Sequence, residues 1–338
     1  MVFFTAKSGA RLGALLGIAC LGLAAVGCSS SSSPPASKPK GTASVAYASS
    51  LEYLNEKVAG PAFTKATGYG YSGRSGASGE LESDIASGEI SPNVFESVGG
   101  DNITPLFPKF TKWYVQYAGT SIVVAYNPKS KYASDFKAYA DGTKSLASLF
   151  KLMETPGFKL GRTDPNIDPQ GRSFIYMLQL AQAYYHLPSN TVDKILGTSN
   201  WADPNSPQIY SESSLDSVLA SGQLDASSAY ITQAVELHLP YITLPPAINL
   251  GSAALATQYA KAHITITVSG VKTPKTGSPL VIDITTVGKP TSAGTAFVKY
   301  TLSPAGLALY KAGGFTLLKP TAFGTTSAIP SSISSELG

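Results

Sequence analysis

Strands and helices alternate along this 338-residue chain, which predicts an α/β fold built on mostly parallel sheets. Three observations carry that prediction. Short apolar runs such as "IVVAY" at 122–126 stop at turn signals and give way to segments with apolar residues at helical spacing. The composition, 43% hydrophobic and only 14% charged, is that of a chain able to bury a large core, in two lobes or domains. Serines and Asp-Pro pairs recur where a strand pattern turns into a helix pattern, the usual chemistry of helix starts.

Taken in order, the first 28 residues read as an export signal. Lys7 and Arg11 precede the apolar, small-residue run from Leu12 to Gly27, which at about 16 residues is short for a membrane span. It ends in "AAVGC", which resembles a bacterial lipobox; the resemblance implies a lipoprotein signal peptide over 1–27 and lipidation of Cys28. Cys20 lies inside the signal, so no cysteine remains for a disulfide, a zinc cluster or a thiol nucleophile. Residues 28–41, rich in Ser, Pro and Lys, form a flexible tether.

The mature chain opens with a strand at Ala43–Tyr47, a turn at Ser49-Ser50, and a helix carrying Leu51, Leu54, Val58 and Phe63. A Gly/Ser turn at 72–79 then leads to a helix near Glu80. Ile122–Tyr126 is a strand that Asn127-Pro128 ends. The stretch "GRTDPNIDPQGRSFIYMLQLAQAYYHLP" places two Asp-Pro pairs before a long apolar helix, followed by a helix over 215–221, a strand at "ASSAYI" and another at "PLVIDITTVGK". Four helix N-termini result, at Ser50, near Ser78, at Asp168-Pro169 and near Ser213-Ser214. Each exposes unpaired N–H groups and partial positive charge, so their convergence would make an anion cage without Lys or Arg. Taken singly, each serine reads as a structural cap.

Composition excludes several functions. The net charge of +4, from 25 basic and 21 acidic residues, contains no basic block to track a phosphate backbone, so nucleic acid is not expected. His186, His238 and His263 lack metal-ligand spacing, and no Gly-x-Ser-x-Gly or Walker loop occurs. An enzyme is not expected, and no cofactor.

The segments "VAYASSL", "TSIVVAYNPKSKYA", "GRTDPNIDPQGRSFIYMLQLAQAYY", "YITLPPAINLG" and "TAFVKYTLSPAGLALYKAGGFTLLKP" resemble, in order, successive blocks of the molybdate/tungstate-binding proteins of ABC transporters, in particular the archaeal-type group. The resemblance implies a type II periplasmic-binding fold, with two α/β lobes joined by crossover strands and a ligand cleft between them. Lobe one is expected over 42–120 and 284–338 and lobe two over 121–283, with strands at 121–126 and 280–286 as the crossings. It further implies a monomeric, lipid-anchored receptor outside the cell membrane that delivers tungstate or molybdate to an ABC permease and its ATPase. Sulfate or a small organic acid is the alternative solute, and a surface adhesion lipoprotein the alternative role.

Carried over by the resemblance, Ser50 is the first hydroxyl ligand and Ser78 the second, with Ser75 in "RSGASG" as its alternative. Asp168 is the acidic position before the proline, Gln170 donates its backbone N–H, and Tyr230 donates its hydroxyl. Ser49 and Ser214 are weaker candidates beside them. In archaeal-type members an Asp and a Glu bring carboxylate oxygens to the metal of the oxyanion, the only metal expected in the site. Here Ala229 stands where that Glu precedes the tyrosine, so one carboxylate is expected and not two. Gln170 replaces a usually small residue, and Arg172-Ser173 stands where Tyr-Arg is typical.

Overall fold

The computed structural model describes residues 39–337; the export signal, Cys28 and most of the tether lie outside the described residues. Among the described residues twelve strands form two sheets and a hairpin. The first sheet is built from β1 (Thr42–Ala48), β2 (Gly70–Gly76), β3 (Val94–Val98), β4 (Trp113–Gly119), β11 (Val281–Thr286) and β12 (Thr316–Gly324), in the order β12-β4-β11-β3-β1-β2. The second holds β5 (Ile122–Tyr126), β6 (Leu160–Gly161), β7 (Ala226–Tyr230) and β8 (Tyr241–Ile242), in the order β6-β7-β5-β8. β9 (His263–Val268) and β10 (Val271–Thr276) pair antiparallel as a hairpin.

These sheets are mixed, not mostly parallel. Only strands joined by a helical crossover, β1 with β2 and β3, and β6 with β7, run parallel. β11 runs against both β3 and β4, and β5 against both β7 and β8. The cause is the route of the chain. It leaves the first sheet after β4 through Thr120-Ser121, enters the second as β5, and returns only as β11. The two passages lie side by side, with Val281 opposite Gly119 and the Thr120 N–H on the Leu280 carbonyl at 3.0 Å.

The strand and helix patterns place the core. β5 is buried at every position but its last, as a continuous apolar run requires, and β3 is buried along its whole length although it carries Glu96 and Ser97 at its centre. The helix after Asp168 spans Pro169–Tyr184, with both faces buried over its first three turns. Phe174, Ile175, Met177 and Leu178 are each almost fully enclosed, at roughly 1.5–3 kcal/mol of burial apiece. The single helix expected after Ser50 is instead three pieces: a 3₁₀ turn at Ser49–Leu51, a π-helical stretch at Leu54–Ala59 and an α-helix at Gly60–Thr67. The wide stretch contains buried Asn55, whose Nδ2 donates to the buried carboxyl of Glu96 at 2.8 Å.

Candidate functional site

The C-terminal ends of β1, β2, β6 and β7 lead directly into the residues the sequence singles out, as open α/β sheets dictate for ligand sites. Two adjoining cavities, of about 360 and 550 Å³, open there. They share Ser49, Glu52, Glu212 and Ser213 as a common wall. Ser50 lines the smaller; Ser75 and Asp168 line the larger.

β1 ends at Ala48, and the turn after it carries Ser50 into the interior, where its hydroxyl is buried and has no hydrogen-bond partner. Tyr230, the last residue of β7, is 1% exposed and its hydroxyl is likewise unpartnered. Thr163, two residues past β6 and on the wall of the larger cavity, is a third buried hydroxyl without a partner. An unpaired buried hydroxyl costs about 1–3 kcal/mol, so those of Ser50 and Thr163, one on each cavity, mark places built to donate to something else, and Tyr230 lies behind them at the end of β7 without lining either cavity.

The two Asp-Pro pairs do different work. Asp164 Oδ1 accepts from the Asn166 N–H at 2.9 Å and closes a turn. Asp168 caps the helix: its Oδ1 accepts from the Gln170 N–H at 2.8 Å, with Pro169 at the first helical position, where a missing N–H costs nothing. Burial pushes the Asp168 carboxyl up to about 6, against the Gln170 N–H and the Arg172 guanidinium, which favour its charged form. Arg172 itself donates to the Pro165 carbonyl at 3.2 Å and to Asn102 Oδ1 at 3.3 Å, linking this helix to the end of β3.

The other predicted residues divide. The Gln170 side chain lies in a buried polar network with Ser228, Gln233 and Glu212. Ser78 is buried, but its Oγ accepts from the Val98 N–H at 3.2 Å and it lines neither cavity, whereas its alternative Ser75 lines the larger one. Ser49 sits on both walls. Ser214 turns away into a local cap with Ser211, and its neighbour Ser213 faces the cleft instead. Gly79 donates its N–H to the Ile167 carbonyl at 3.0 Å across the cleft; a Cβ there would come within 2.6 Å of that oxygen, so only glycine allows the approach.

Ala229 points away. The pleat of β7 sends Ser228 toward Gln170 and Ala229 into an apolar cluster with Val123, Leu215, Leu219 and Leu224. A second carboxyl nevertheless reaches the cleft. Glu212, at the start of the helix Glu212–Ala220, is 7% exposed and bonded to both Gln170 and Gln233. Burial and the negative charge of Asp168 hold it well above the usual carboxylate range. The local signal was only an acid one residue after the N-cap Ser211, a position read as dipole complement; its partners lie 42 and 21 residues away and leave no trace in spacing.

The walls carry little positive charge. Lys57 is the one base on the smaller cavity, facing Glu52, Glu56, Glu212, Asp216 and Glu236, and neither Lys nor Arg lines the larger. A solute anion here must be held by neutral donors. Among the described residues no group of three or more His, Cys, Asp or Glu is placed to hold a metal ion. His186 and His238 occupy left-handed turns just after helices, with φ of 53°.

Comparison with known proteins agrees with this architecture. The chain is 30% identical over 237 residues to the molybdate/tungstate-binding protein WtpA of Thermococcus kodakarensis, covering 65% of this chain and 64% of that protein. It is 28% identical over 219 residues to a solute-binding protein of Petrotoga mobilis, again over 64% of the relative. The chain thus spans just under two thirds of each of these relatives. Among solved structures, the periplasmic molybdate-binding protein of Azotobacter vinelandii superposes with a TM-score of 0.54 at 18% identity, over 82% of this chain and 99% of that one. The fold is that of the type II periplasmic binding proteins. The model of the family described as bacterial extracellular solute-binding protein matches residues 43–316, and the chain belongs to that family, whose members bind a solute and are not enzymes.

Proposed function

We propose that the protein is the extracytoplasmic receptor of an ABC importer and captures a tetrahedral oxyanion, molybdate or tungstate, for delivery to the permease and its ATPase. The observation that carries this reading is the set of buried, unpartnered hydroxyls around the cleft, Ser50 on the smaller cavity, Thr163 on the larger and Tyr230 at the end of β7. Donors of this kind can hold an anion by hydrogen bonds without a cationic side chain, against the repulsion of the acidic walls. The relatives named for molybdate and tungstate support the choice of solute.

On this reading Ser50, Ser75 or Ser78, Thr163 and Tyr230 donate to the anion, and Asp168 stands beside it; the Gln170 N–H expected to join them is taken by Asp168 Oδ1 instead. The lobes, 42–120 with 284–338 and 121–283, close over it about the two passages that meet at Thr120 and Leu280, and the closed form docks on the permease. Lipid at Cys28 holds the monomer at the outer face of the membrane. Calorimetric titration with molybdate, tungstate, sulfate and phosphate tests the proposal. Tight binding of the first two supports it. Binding of sulfate or phosphate alone moves the protein to another anion, and no heat with any of the four refutes the oxyanion reading.

A further inference from the structure

We propose that Glu212 is a specificity-determining residue of the cleft, a carboxyl group that holds the solute through a proton shared between its Oε2 and one oxygen of the anion. This rests on the oxyanion reading above and adds a proton to it.

The geometry starts from the buried network. Glu212 Oε1 accepts from Gln170 Nε2 at 3.0 Å and from Gln233 Nε2 at 2.8 Å. Neither amide can turn over. Gln170 Oε1 already accepts the Ser228 hydroxyl at 2.7 Å, and Gln233 Oε1 accepts both the Tyr230 N–H at 3.1 Å and Gln170 Nε2 at 2.8 Å. Both amides therefore present N–H to the same oxygen of Glu212. The other oxygen, Oε2, makes no hydrogen bond among the described residues, and its residue forms part of the wall common to both cavities, beside Ser49 and Ser213. The carboxyl is thus held by one oxygen, and the other is the one free to meet a solute.

A deprotonated Oε2 would set two acceptors against each other, carboxylate against oxyanion, with no hydrogen between them. The surroundings sharpen the conflict. Asp168 faces Glu212 from the helix Pro169–Tyr184, and Asp216 lies one turn along its own helix. Glu52, Glu56 and Lys57 stand across the smaller cavity, Glu236 closes its far side, and the neutral Tyr230 hydroxyl lies within reach of both charges. Arg172 acts on Asp168 and Tyr230, not on Glu212. One proton resolves the arrangement: Oε1 remains the carbonyl acceptor of two amides, and Oε2–H becomes a donor alongside Ser50 and Tyr230. Burial and the neighbouring negative charges favour that neutral form.

An anion without a proton of its own therefore binds only to the protonated site. Above the pH at which Glu212 ionises in the free protein, molybdate affinity falls about tenfold per pH unit, and binding takes up about one proton per anion.

The test is molybdate titration of the parent, Glu212→Gln and Glu212→Ala over roughly pH 6 to 10, with proton uptake by the parent read from heats in two buffers of different ionisation enthalpy. Glutamine keeps both a carbonyl acceptor and a donor without a titrating proton. The expected result is affinity within about threefold of the parent at pH 6 for Glu212→Gln, a loss of about tenfold or more for Glu212→Ala, and a flatter pH profile for Glu212→Gln than for the parent. Glu212→Gln losing as much as Glu212→Ala, or sharing the parent's profile, overturns the proposal. Should that variant not fold, the parent's buffer dependence decides: no proton uptake where affinity is falling overturns it. A parent that binds molybdate while any of these fails leaves the oxyanion reading standing, and a parent that binds no oxyanion overturns both.

Discussion

Removing the Tyr230 hydroxyl should move stability and binding in opposite directions. The ring is enclosed at the end of β7, and its hydroxyl has no hydrogen-bond partner among the described residues. Tyr230→Phe leaves the ring in place, opens no cavity and deletes a buried donor that the fold does not use. An unsatisfied buried hydroxyl costs about 1–3 kcal/mol, so the free protein should be unchanged or more stable by roughly 1 kcal/mol. Binding should suffer, because a hydrogen bond to a charged group is worth about 1.5–3 kcal/mol, or roughly 10- to 150-fold in affinity. The two effects can be read in one melting experiment with and without molybdate. At a concentration one hundred times the parent's dissociation constant, ligand stabilises the parent by about 2.7 kcal/mol; the same concentration should stabilise Tyr230→Phe by only about 0.3–1.4 kcal/mol. A variant that melts lower than the parent without ligand yet gains as much from molybdate would make the hydroxyl a structural group with no part in binding.

Three further outcomes are expected. Ser50→Ala should also weaken binding by about 1.5–3 kcal/mol with little change in the melting temperature of the free protein, since its hydroxyl is equally unpartnered; an unchanged affinity by calorimetry would count against its role. Burial raises the Asp168 carboxyl from 3.8 to about 6, so the folded state holds this proton more tightly than the unfolded state and its ionisation erodes stability as pH rises from about 4 to 6. Asp168→Asn keeps the cap and removes that erosion, so its stability relative to the parent should rise between pH 4 and pH 7 by something on the order of 2 kcal/mol, measured by denaturant midpoints; parallel curves would contradict this. Ala229→Glu would force a carboxylate among Val123, Leu215, Leu219 and Leu224 and should destabilise the protein by about 3 kcal/mol or more; a stable variant with improved tungstate affinity would show that position 229 faces the cleft after all.

The sequence carried much of this architecture because its signals are local. "IVVAY" marked β5 to the residue, since an apolar β-branched run ending at Asn-Pro has one reading. Asp168 and Pro169 marked a helix start that the structure places at the same residues. The π-helical stretch at Leu54–Ala59 was hidden, because a wide turn preserves the same apolar spacing to within a residue and is stabilised by a distant buried partner, Glu96. Strand direction was misread for a related reason: alternation of strands and helices speaks to local order, whereas the antiparallel pairs of β5 and β11 follow from the chain passing between two sheets. At the cleft, Ser50 and Tyr230 were visible through resemblance, but Glu212 was not. Its role depends on two glutamines remote in sequence, while the absence of an acid at 229 pointed toward a site with one carboxylate.

Locating the anion is the most direct test of the account. Anomalous scattering at the molybdenum edge from crystals of the protein grown with molybdate would place the metal without reference to any assumed pose. One site is expected in the cleft, with oxygens within hydrogen-bond distance, about 2.5–3.2 Å, of Ser50 Oγ and the Tyr230 hydroxyl. A molybdenum peak anywhere else, or a cleft left empty at saturating molybdate, would contradict it.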